Sequence, residues 1–214
     1  MDIGLYLLKF PFRKMIQFLV PLFKNVNPNL ISALLLPIGI MTAITYWYAI
    51  ENNIPGLFLV GIVLAFIRMI VATLDGLVAQ EFNKSTALGD VINRITPELC
   101  DLMLIPTIII ANGDLHLGII AITFAWATPF IGLLGSPSGL AVQSVGPVGQ
   151  TDRLAALMLL SFLEYFSKTF QWNFNFISLF LKWLILGGIL TLILRFYRVY
   201  RDAQIKDRNH SQGI

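Results

Sequence analysis

At 214 residues, with 57% hydrophobic and only 13% charged side chains, the chain carries roughly half the charge of a soluble domain. A globule of this length has no interior large enough for that much apolar surface. Composition therefore excludes a soluble enzyme, a disordered chain and a nucleic-acid-binding domain. The net charge of +3 reads as the basic face of a membrane protein. What remains is an all-α integral membrane protein, expected as a single membrane domain over 1–214 with room for six spans at ~20 residues each.

Residues 12–24 predict an amphipathic interfacial helix. Arg13, Lys14, Gln17 and Lys24 fall near one face, and Met15, Ile16, Phe18, Leu19, Leu22 and Phe23 fall on the other. Asn27-Pro28-Asn29 ends it. The first span is expected at about 30–50, closing on Tyr46-Trp47-Tyr48 as an aromatic belt. A polar turn leads to the second span at about 54–79, and the third follows at about 86–111. The fourth covers about 117–134. A loop over 135–151, rich in Gly, Pro and Ser, precedes the fifth span at about 153–166. The sixth, at about 176–194, is followed by a basic tail.

Lys and Arg sort sharply on this layout. With the N-terminus inside, the inner segments hold Lys9, Arg13, Lys14, Lys24, Lys84, Arg153, Arg195, Arg198, Arg201, Lys206 and Arg208, while the outer turns hold only Lys168. The positive-inside rule then places both termini in the cytoplasm, which needs an even number of spans. The end of span two, the start of span three and the loop before span five would share that side.

Ionisable groups inside spans are costly and point to function. On span two, Arg68, Ala72, Asp75 and Ala79 share one helical face. On span three, Asp90, Asn93, Arg94, Pro97, Glu98 and Asp101 form a polar stripe within an arc of about 140° at 100° per residue. Pro97 has no N–H, so the Asn93 carbonyl loses its helical partner and is expected to accept another bond or ligate a cation. The bland reading pairs Asp90, Arg94 and Glu98 one turn apart.

The run Leu74-Asp75-Gly76-Leu77-Val78-Ala79-Gln80, followed after eight residues by Gly89, resembles the signature of the CDP-alcohol phosphotransferase (CDP-alcohol phosphatidyltransferase) family. That signature reads D-x-x-D-G-x-x-A-R, about eight residues, then G-x-x-x-D-x-x-x-D. The segment 27–32 is similar to the family's entry to its first span, and 146–153 to its loop before the fifth.

The resemblance implies a six-span fold with an interfacial N-terminal helix. It also implies transfer of a phosphatidyl-type group from a CDP-alcohol, usually CDP-diacylglycerol, to an acceptor alcohol or alcohol phosphate, with release of CMP, in phospholipid synthesis. Membrane lipids surround such a protein, and a homodimer fits the family. Mg²⁺ or Mn²⁺ would neutralise the diphosphate through hard oxygen ligands. Gly76, Ala79 and Gly89 would line the nucleotide, and Arg153 with Gln150 the acceptor.

Position by position the chain departs from the signature. Ala72 stands at the first acidic position, Asn93 at the third, and Pro97 at the last, where the family's base is expected. Gln80 replaces the arginine. Asp75 remains. A shifted metal set of Asp75, Asn93 and Asp101 is the expectation that follows. An alternative keeps the fold without catalysis, as a lipid- or nucleotide-binding protein or a subunit of a membrane complex. A small transporter is a third class, which lacks paired broken helices or an obvious internal repeat.

Overall fold

The computed structural model describes residues 9–211, and within them the ordered elements are helices. In chain order these are α1 (Lys9–Ile16), a 3-10 turn (Gln17–Phe23), α2 (Pro28–Ala33), α3 (Leu35–Glu51), α4 (Pro55–Glu81), α5 (Ala87–Asn112), α6 (Leu115–Leu133), a 3-10 turn (Ser136–Ser138), α7 (Gln150–Thr169) and α8 (Phe176–Ser211).

Among the described residues, five stretches are long and apolar enough to cross a bilayer: Pro28–Glu51, Pro55–Glu81, Ala87–Asn112, Leu115–Ser138 and Phe176–Asn209. The protein is thus a multi-pass, all-helical integral membrane protein. The predicted fifth span, 153–166, lies within α7. That helix is long enough, but Asp152, Arg153, Glu164 and Lys168 keep it below the apolarity of the others. The predicted interfacial helix, 12–24, is a turn of α-helix passing into the tighter 3-10 form, with Pro21 inside the latter.

By contacts the chain forms two units. The larger holds 9–115 and 154–180 among the described residues. In it α3 lies against both α4 and α5. The approach to α5 is close because Gly39 has no side chain: a Cβ there would sit 2.7 Å from Cys100 Sγ. Cys100 Sγ in turn meets the Leu35 carbonyl at 3.2 Å. Gly61 of α4 rests on the Tyr46 ring in the same way.

Tyr46 was expected in an interfacial belt with Trp47 and Tyr48. It is instead fully buried, its hydroxyl 2.9 Å from Ser161 Oγ and its ring edge-on to Phe58. A phenol hydroxyl can sit inside a bundle once it has a partner, and Ser161 lies too far along the chain for sequence to supply it. At one end of this unit Val20, Ile31, Leu74 and Val78 make a core to which Leu19 and Phe23 add. The 3-10 turn therefore packs part of its apolar face on the protein and exposes Phe18 and Leu22.

The smaller unit holds 116–153 and 181–211 among the described residues. Here the loop after α6 is hung on α8. Arg195 Nε donates to the Val145 carbonyl at 2.9 Å, and Thr191 Oγ1 accepts from Val148 N at 3.0 Å. Gln143 Nε2 donates to Asp202 at 3.0 Å, and Lys206 Nζ to the Ser138 carbonyl. Gly146 is required by this arrangement: its φ is +111°, and a Cβ would meet Thr191 Cγ2 at 2.6 Å. The basic tail expected after residue 194 is the continuation of α8 itself, which runs 36 residues.

Candidate functional site

The site is built where α2, α4 and α5 meet, all within the larger unit. Asn27 opens it. Its side chain caps α2 by accepting from Asn29 N at 2.9 Å, with Pro28 at the first helical position, where no N–H is needed. Capping fixes the register of the single turn that follows. That turn carries Ser32 inward, and Ser32 Oγ donates to Asp75 Oδ2 of α4. Asp75 is buried, and its other oxygen accepts from Gly76 N at 2.6 Å.

Thr86 caps α5 by accepting from Gly89 N at 3.0 Å. This brings Gly89 close to α2, so that a Cβ on Gly89 would lie 3.1 Å from Asn29 Oδ1. One turn further, Asn93 faces Gly76: a Cβ on Gly76 would lie 3.5 Å from Asn93 Nδ2. Asp75, Gly76, Gly89 and Asn93, four of the residues singled out in the sequence, therefore come together with Asn29 and Ser32. Ala79, one turn beyond Asp75, is partly buried on the same face.

Asp101 lies deeper and has a different partner. Its carboxylate is 2.5 Å from Arg68 Nη2, with both side chains buried. The same Nη2 donates to the Pro97 carbonyl at 2.7 Å. Pro97 had been expected to release the Asn93 carbonyl as an acceptor, yet the acceptor that Arg68 takes is Pro97's own. Arg68 Nε and Nη1 are buried without a hydrogen-bond partner among the described residues. A donor left so costs about 1–3 kcal/mol, more when charged. The pair ties α4 to α5 below the polar cluster.

The expected acceptor residues belong to the smaller unit. Gln150 begins α7, and Arg153 on its first turn is buried. Arg153 Nη1 donates to the Ala125 carbonyl at 2.9 Å and lies 3.4 Å from Thr128 Oγ1. Arg195, read from sequence only as a tail charge, is also buried, and its Nη1 donates to the Thr128 carbonyl at 2.6 Å. Two guanidinium groups thus meet one threonine of α6. Sequence missed Arg195 because it follows the last apolar turn of α8. It missed Ser32 because its partner lies 43 residues away.

Among the described residues no group of three His, Cys, Asp or Glu side chains is arranged to hold a metal ion. Asp101, the third member of the expected set, is matched to Arg68. One carboxylate and one amide are a thin donor set for a hard divalent cation, which takes six or more oxygen ligands.

No family model matches the sequence. The fold, however, is shared with a solved structure. The structure superposes with a TM-score of 0.65 on the crystal structure of Mycobacterium tuberculosis phosphatidylinositol phosphate synthase (PgsA1) with CDP-DAG bound, over 87% of this chain and 92% of that one, at 17% identity. In sequence the chain is 27% identical over 175 residues to the Inner membrane protein YnbA of Escherichia coli (strain K12), covering 79% of this chain and 86% of that protein.

Proposed function

We propose that the protein is a membrane transferase of phospholipid metabolism. It takes a CDP-linked lipid at the α2–α4–α5 cluster and passes the phosphatidyl group to an acceptor alcohol, releasing CMP. The observation that carries this reading is the meeting of Ser32, Asp75, Gly76, Gly89 and Asn93 at one place, in a fold shared with a synthase whose structure holds CDP-DAG. Gly76 and Gly89 let a nucleotide approach the backbone. Asn93 supplies an amide to its polar edge.

In the reaction the acceptor oxygen forms a new bond to the lipid-linked phosphorus, the bond between the two phosphates breaks, and CMP leaves with its electron pair. Asp75, oriented by Ser32, is the carboxylate to which we assign the acceptor's proton. No step runs through a metal ion, because the residues present do not fit one.

In this reading both termini and the site face the cytoplasm, which the distribution of Lys and Arg supports. In this reading α7 completes six spans, its charged residues Asp152, Arg153 and Glu164 being buried in protein rather than turned to lipid.

The small donor set favours one further reading, in which the site binds a CDP-lipid or nucleotide without turning it over. Purified protein given CDP-diacylglycerol and a panel of alcohols and alcohol phosphates separates the two. CMP release that falls to background in Asp75→Ala supports the transferase. A CDP-dependent thermal shift with no CMP above that control supports the binding protein.

A further inference from the structure

The diphosphate of a CDP-linked lipid carries two negative charges, and something at the site has to meet them. The acidic donors that would hold divalent cations are not assembled here: Asp101 is committed to Arg68, and Asp75 stands with an amide rather than a second acid. The charge therefore has to come from the protein, and the basic residues near the cluster can be taken in turn.

Arg68 is fully buried, with its Nη2 on Asp101 and the Pro97 carbonyl. Lys84 has its Nζ on the carbonyls of Lys24 and Val26, where it holds the chain that enters α2. Arg94 follows Asn93 but is exposed and turned about 100° away from it around α5. Arg13 on α1 is the basic residue whose side chain reaches Gln80 of α4. Its Nη2 donates to Gln80 Oε1 at 2.8 Å, a contact between residues 67 positions apart. Gln80 is one helical turn after Gly76, so the two share a face of α4. That is the face of Gly76 on which Asn93 lies.

A second contact fixes the approach of α1, since the Phe12 ring meets Phe66 of α4 edge-on at 6.2 Å. Gln80 thus holds the planar guanidinium of Arg13 by one of its five N–H groups, one helical turn from Gly76. A guanidinium presents a fork of donors that matches phosphate oxygens and keeps its charge throughout.

We propose that Arg13 is the phosphate-binding residue of this site: its guanidinium, carried in from α1 and held by Gln80, meets the diphosphate of a CDP-linked lipid, and binding there needs no divalent cation. The proposal rests on the CDP-lipid reading above.

The test uses the full chain in detergent, with thermal unfolding followed against CDP-diacylglycerol concentration in EDTA and in Mn²⁺. Native protein is expected to show the same ligand-induced shift in both. Arg13→Gln should weaken apparent affinity tenfold or more, the scale of a charge-assisted hydrogen bond, with unliganded stability unchanged. Lys14→Gln, which removes the same charge one residue along, should bind as the native chain does. The exchange Arg13→Gln with Gln80→Arg returns a guanidinium to the same face of α4 and should recover most of the affinity, which a purely structural role for Arg13 would not allow.

A shift seen only with Mn²⁺ overturns the proposal, as does native affinity in Arg13→Gln. Failure of the exchange to recover binding overturns direct contact. No shift in native protein under either condition overturns the CDP-lipid reading, and this proposal with it.

Discussion

Arg68 and Asp101 show what a charged pair does when buried between two helices. Each charge is tolerable only because of the other, so removing one should cost far more than removing both. Asp101→Asn is expected to destabilise the protein by about 3–5 kcal/mol. Replacing the pair together, Arg68→Met with Asp101→Leu, should cost less than either single change and relieve the two unpartnered Arg68 donors. Denaturant unfolding in detergent measures all three. A metal-ligand role for Asp101 would give a different result, a loss confined to conditions with added cation. Sequence places Asp101 on the polar stripe of its helix, because helical periodicity carries that information. It could not show the ion pair: the contact spans 33 residues and depends on how two helices cross.

Among the elements, the contact of α3 with α5 is set by one residue without a side chain. Gly39→Val would drive its Cβ into Cys100 at 2.7 Å from Sγ and 2.9 Å from Cβ, and both neighbours lie in packed helices. The expected cost is at least 1–3 kcal/mol, the usual scale of overpacking, read as a lowered unfolding midpoint. Gly113→Ala is no control of equal kind, because Gly113 sits at φ +81° and strain would enter. Gly56→Ala, with nothing within 4 Å, is the suitable one. Most helices could be located from apolar runs and their punctuation, since a span must be continuous. Two details could not. The segment 12–24 changes from α to 3-10 at Gln17, and α8 continues unbroken through a polar sequence that reads as a tail. Both depend on what the far side of each helix packs against.

At the scale of the whole molecule, the count of crossings turns on α7. If it spans, its two ends lie on opposite sides of the membrane. Ser138→Cys, in the loop before it, is expected to react with an impermeant maleimide only from the cytoplasmic side. Gln171→Cys, just after it, should react only from the other. Labelling of both from one side would show that α7 does not cross. The native Cys100 is buried and should stay silent. Sequence alone predicts six crossings, from its apolar runs and from a charge asymmetry that needs an even number. Its weakest segment was the one whose polar groups are satisfied inside the protein, as Glu164 is by Phe176 N at 2.6 Å. Hydropathy alone undervalues such a helix.

The loop strung along α8 also has an order in time. Its carbonyl at Val145 waits for Arg195, 50 residues later, and Gln143 waits for Asp202, 59 residues later. At ~5–20 residues per second of synthesis, several seconds pass before those partners leave the ribosome. Upstream contacts such as that of Arg68 with Asp101 can form meanwhile, but this loop cannot settle. Its final shape is therefore written by α8, and a nascent chain halted near Leu194 would carry every residue of the loop without its anchors at Arg195, Asp202 and Lys206.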